Sequence, residues 1–213
     1  MPPLPLRVWM AIIQFFTVWG VRCYLYKWKS DLHRWIYDRE WATVELSTYV
    51  SIADLQKWMQ GFVWKADGLT ELWDAVCTPN KVQAVGRGNS PHGNDCDEEA
   101  VYLTAVIEKS LAAGLMQEDG VANPRFLSVT WFAGRACIPN GHNVCLLEYP
   151  QKSDGSTWYA YMDYGAPSTK YRTVQEVVDR VRQIYAGQNG ALYLPLMYAV
   201  QRLDLTPERV VAS

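Results

Sequence analysis

An apolar stripe that begins at a cysteine governs the middle of this chain. Ala100, Leu103, Ile107, Leu111 and Leu115 recur at spacings of three and four, so they line one face of a helix. Cys96 stands four residues before Ala100 and heads the same face. The spacing predicts a helix over 96–113 with Gly114 as its cap. Three segments of strand composition follow, at 126–132, 143–149 and 157–164. Each is rich in aromatic or branched residues and bounded by Gly, Pro, Asn or Asp. The last two, joined by a short loop at 150–156, read as a hairpin. A helix laid on a small antiparallel sheet gives an α+β fold.

The flanks are less regular. A second helical pattern runs over 173–185 through Val174, Val177, Val178, Val181 and Ile184. Pro195 and Pro207 interrupt the tail, where no long regular element is expected. Residues 80–95 are dense in Gly, Asn, Ser and Pro and read as a loop. A short helix at 51–59 opens with a Ser51 cap and Asp54 in its first turn. Residues 1–60 form an N-terminal extension, and the chemistry-bearing domain spans 61–213. Within the extension, Val8 to Val21 is an apolar run broken by Gln14 and Thr17. It falls short of the about 20 residues a spanning helix needs and carries no small-residue cleavage site. A buried or partner-docked segment is the expectation, with a membrane anchor over residues 8–26 as the rival. Helix and strand both remain open for it.

Composition excludes some functions. The formal net charge is -2, which supplies no field for a phosphate backbone, so nucleic acid is not an expected partner. Cysteines at 23, 77, 96, 137 and 145 are odd in number and include no CxxC, which argues for free thiols in a reducing, cytoplasmic compartment. Ten Trp and thirteen Tyr provide aromatic surface suited to protein interfaces as well as cores.

Cys96 carries the chemistry. A thiol in the first turn of a helix feels outward-pointing backbone N–H groups and the positive end of the dipole, which favour the thiolate. Asp95 or Asn94 can cap that end. Asp95, Asp97, Glu98 and Glu99 oppose the thiolate, so a cationic partner is required. His142 at the start of one hairpin strand can supply it, and Asp163 at the end of the other can orient the ring. On alternation His142 shares a face with Val144 and Leu146, and Asp163 with Tyr159 and Tyr161. The expected triad is Cys96, His142 and Asp163.

The segment Thr78-Pro79, Gly86 and Gly93-Asn94-Asp95-Cys96-Asp97-Glu98-Glu99-Ala100 resembles the TP...G.GDCED.A signature of bacterial transglutaminase-like cysteine proteinases. Gly141-His142 and Met162-Asp163-Tyr164-Gly165 resemble that family's later His and Asp positions, in the same order. The resemblance covers about residues 62 to 166. It departs from the family in reading GNDC for GDC and in having Asp97 where Glu is usual. It implies a papain-like core and a thioester mechanism on protein or peptide substrates. By the same resemblance, Asp95 and Asp97 would be the positions for calcium.

Competing readings stand beside this one. Cys137, His142 and Cys145 match no standard zinc spacing. His92 is a rival base in a Gly-rich loop, and His33 reads as a surface residue of a charged helix. The oxyanion donors are the Cys96 backbone N–H and a side chain such as Trp73 or Gln83. A second class of function keeps the fold without catalysis: a structural or assembly protein, such as one of a phage particle, docked through its aromatic N-terminal segment.

Overall fold

The computed structural model describes residues 4–15, 26–64, 75–87, 95–133, 138–188 and 193–212. In chain order these form α1 (Leu4–Phe15), α2 (Tyr26–Tyr37), α3 (Ile52–Met59), α4 (Pro79–Val85), α5 (Cys96–Ala112), β1 (Ala122–Ala133), β2 (Ile138–Pro150), β3 (Thr157–Asp163), β4 (Ala166–Pro167), α6 (Val174–Gln188), β5 (Tyr193–Gln201) and β6 (Pro207–Ala212). The strands make one six-stranded sheet in the order β4-β3-β2-β1-β5-β6, antiparallel at every pairing. The fold is α+β, with helices on both faces of the sheet.

Alternation along β2 divides the core. Cys145 and Leu147 point to one face, where Leu103, Val106 and Ile107 of α5 pack with Ile52, Leu55 and Met59 of α3. Val144 and Leu146 point to the other, against Val177, Val178 and Val181 of α6. The helical stripe read at Ala100, Leu103 and Ile107 is thus the buried face of α5. Residues on both sides of Gly61 share one core, because α3 packs directly on α5 and the sheet.

Two segments differ from the sequence reading. The stretch read as a loop from residue 80 begins with α4, whose N-cap is Thr78 and whose first residue is Pro79, a favoured pairing at a helix start. The tail holds two strands. Between the pairs Thr130–Met197 and Phe132–Tyr193 the register slips, and Pro195 falls in that irregularity, where its missing N–H breaks no regular rung. Pro207 opens β6, the other strand position that tolerates proline.

Of the N-terminal run, residues up to Phe15 are helical; 16–25 lie outside the described residues. Among the described residues no helix is long and apolar enough to cross a membrane.

Candidate active site

Cys96 is the first residue of α5, and the sequence around it builds a firmly capped helix end. Asp95 is the N-cap and accepts from the Asp97 N–H at 2.8 Å, while Glu98 reaches back to the Asp95 N–H at 3.1 Å. This is a capping box, with Asp in place of the usual Ser or Thr. Glu98 is buried, and its second oxygen accepts from the Cys77 N–H at 3.1 Å, tying the Thr78-Pro79 segment to the Cys96 turn. Two of the acids crowding the nucleophile are therefore structural.

The sulfur of Cys96 is half-buried and faces β2. Its thiol donates to Asp97 Oδ1 at 3.6 Å, and the Asn143 amide nitrogen lies 3.9 Å from it. The other described cysteines are sequestered. Burial pushes the Cys145 thiol up to about 12, and burial with the Glu98 charge beside it holds Cys77 well above the ordinary thiol range. Among the described cysteines, Cys96 alone has its sulfur at a partly open position.

His142 and Asp163 meet. Nε2 of the ring lies 3.0 Å from Asp163 Oδ1. With Nε2 on the carboxylate, Nδ1 is the nitrogen left for proton transfer. The ring stacks on Tyr185 of α6 at a centroid distance of 3.7 Å, and the Tyr185 hydroxyl donates to Asp163 Oδ2. Burial first, and the bond to Asp163 second, keep that phenol protonated. Tyr185 is a partner of this pair that the sequence alone does not single out. Its signal was its place one turn beyond Val181, on the apolar stripe of α6, where a hydroxyl needs a partner.

Sulfur and ring come to adjacent positions of β2 from different sides. Asn143 contacts Cys96 on the α5 face, whereas His142, next along the strand, turns to α6. The β2–β3 ladder ends at Cys145–Met162, and His142 pairs with Val129 of β1. The site therefore lies at the strand edge where β3 departs. A two-residue turn, Tyr164-Gly165, follows Asp163 there, with φ of 49° and 89°. Positive φ at both central residues is the type I′ signature, for which tyrosine is an uncommon choice. The Tyr164 ring lies 6.3 Å from His142, and burial together with the charges of Glu99, Cys96 and Asp163 raises its phenol.

Glu99, one turn along α5 from Cys96, is 1% exposed. Burial raises its carboxyl well above the usual range and the Asp163 charge raises it further, while the Tyr164 and Gly165 amides pull the other way. Those amides face it, yet neither Glu99 oxygen completes a hydrogen bond.

Comparison with protein-family models, with curated proteins and with solved structures found no match. The functional reading therefore stands on this geometry and on the residues themselves.

Trp73 and His92 lie outside the described residues, as does Cys137. Gln83 Oε1 accepts from the Ser47 N–H at 3.2 Å and the Tyr102 hydroxyl at 2.8 Å. Tyr102 sits six residues beyond Cys96, about 9 Å along the helix axis, so Gln83 is held away from the nucleophile. Asp95, Cys96 and Asp97 place ligand atoms within 4.8 Å of one another. Two carboxylates, one of them capping the helix, and a soft sulfur do not fit a cation that takes six to eight oxygens.

His33 is half-buried rather than a surface residue, with Nε2 3.7 Å from both Cys77 Sγ and Asp38 Oδ1. The Lys81 ammonium stands 3.0 Å from that sulfur and 3.3 Å from that oxygen, so the chain supplies its own cation to this cluster.

Proposed function

We propose that the chain is a transglutaminase-like cysteine hydrolase whose papain-like core includes α3 as well as 61–213, acting on a carboxamide or peptide bond of a protein or peptide substrate. The observation that carries this is the His142–Asp163 pair, 3.0 Å apart and backed by Tyr185, beside a strand position that touches the half-open sulfur of Cys96. On this reading His142 Nδ1, on a ring that turns to the α6 face with Asp163 and Tyr185, must take the proton of Cys96 from the α5 face at the edge of β2 that β3 leaves free. The sulfur attacks the carbonyl carbon, and the C–N bond breaks as the ring protonates the leaving amine. Water then gives its proton to His142, attacks the thioester and releases the acid, restoring the thiol. Asp163 holds the imidazole in the tautomer with the proton on Nε2 and stabilises the imidazolium.

Labelling with iodoacetamide across pH, in the parent and in His142→Ala, tests this. Selective labelling of Cys96 well below the ordinary thiol pKa of about 8.5, lost in the variant, is the expected result. Labelling of Cys96 indistinguishable from a free thiol at every pH would sink it.

A second reading, an assembly protein that keeps the fold without the reaction, draws on one feature. Leu4, Val8 and Ile12 form an exposed apolar stripe on α1, with Trp9 beside it. Unaltered biological function in Cys96→Ser would favour that reading.

A further inference from the structure

We propose that Asn143 is the side-chain donor of the oxyanion hole at Cys96, an inference that rests on the acyl-transfer reading above. Asn143 follows His142 on β2, and alternation turns its side chain to the α5 face with Cys145 and Leu147. There its Nδ2 lies 3.9 Å from the Cys96 sulfur. In a tetrahedral adduct the oxyanion is bonded to the carbon that the sulfur attacks. A donor about 2.7 to 3.1 Å from that oxygen can stand at such a distance from the sulfur itself. The Cys96 backbone N–H, directed out of the first turn of α5, is the second donor.

Burial supplies an independent observation. Asn143 is 3% exposed, and its Oδ1 has no hydrogen-bond partner. A half-satisfied amide buried on this face is destabilising, and an aliphatic side chain of similar volume would avoid that cost. An N–H needed at this position accounts for its presence. As the Cys96 S–C bond forms, the carbonyl π pair moves onto oxygen and is received by Asn143 Nδ2–H and the Cys96 N–H. The pair returns to carbon when the C–N bond breaks.

Two reagents separate the reactivity of the thiol from stabilisation of an oxyanion. Iodoacetamide alkylates sulfur at a saturated carbon and forms no oxyanion, whereas p-nitrophenyl acetate acylates through one. In Asn143→Ala, and in Asn143→Leu, which preserves the volume, alkylation of Cys96 is expected to stay near the parent rate. Acylation is expected to fall roughly 100- to 1,000-fold. Equal losses with both reagents, unchanged acylation, or failure of both variants to fold overturn the assignment of Asn143. If the parent's Cys96 reacts no faster than free cysteine with either reagent, the acyl-transfer reading fails as well; if it does and only acylation is insensitive to Asn143, that reading survives.

Discussion

His142 and Asp163 stand diagonally across the β2–β3 ladder. Its last pair is Cys145–Met162, so Asp163 falls two residues short of His142, a separation two polar side chains can bridge. The pair depends on a third element, because α6 lays Tyr185 over the ring and against the second carboxylate oxygen. The His142–Asp163 pair is thereby fixed by a strand, a hairpin end and a helix drawn from distant parts of the chain.

Tyr185→Phe removes the hydroxyl but keeps the ring that stacks on His142. A hydrogen bond to a charged group contributes about 1.5 to 3 kcal/mol, so the variant is expected to lose stability on that order in urea unfolding. The stack still orients the imidazole, and Cys96 labelling should retain its dependence on His142. A variant as stable as the parent would show that Asp163 Oδ2 gains nothing from the phenol.

Glu99 sets a pH dependence. Its folded-state carboxyl is raised by burial and by Asp163, so the protein takes up a proton at this group on folding. Its favourable contribution is fully present below the unfolded carboxyl value of about 4.3 and is lost as pH rises toward the folded value. Glu99→Gln, uncharged at every pH, should match the parent near pH 4 and exceed it in stability at pH 8. Parallel stability–pH curves for the two chains would count against a neutral, buried Glu99.

Much of this arrangement was legible in the sequence, and the rest was hidden for identifiable reasons. The helix headed by Cys96 announced itself through the apolar spacing of Ala100, Leu103 and Ile107, all of them buried. The β2–β3 hairpin was readable from composition and alternation. β5 and β6 were not, since Pro195 and Pro207 are strand breakers unless an irregular register or a strand start accommodates them, which only pairing partners reveal. α4 was masked by the Gly-rich residues after it, although Thr78-Pro79 was a valid start signal. The contacts of Asn143 with Cys96 and of Tyr185 with the His142–Asp163 pair join separate elements, and no local sequence pattern announces them. Gln83 turns instead to Ser47 and Tyr102, and the sequence carries no indication of which strand face meets the sulfur.

Gly165 is required by two conditions at once. Its φ is 89°, and an added Cβ would stand 2.5 Å from the Cβ of Met59 on α3. The left-handed region alone disfavours an L-residue by about 1 to 2 kcal/mol, and the contact with α3 adds to this. Gly165→Ala should therefore lower stability by more than about 1 kcal/mol and displace Tyr164 from His142. Urea unfolding measures the first effect. Tyrosine fluorescence quenching by acrylamide reads the second less directly, through exposure. A fully stable variant would mean that the Tyr164-Gly165 turn is not held in this conformation.

Asp95 distinguishes a capping role from a metal-binding one. Its carboxylate accepts the Asp97 N–H at 2.8 Å inside a reciprocal box with Glu98, and removal of such a cap destabilises by about 1 kcal/mol. Asp95→Ala should show that loss equally with calcium and with a chelator, because two carboxylates and a thiol are a poor donor set for calcium. The parent's melting temperature should likewise be the same in both buffers. A rise in the parent's melting temperature on adding calcium, abolished in Asp95→Ala, would assign the residue to a cation instead, and the helix cap would then be the secondary use of that carboxylate.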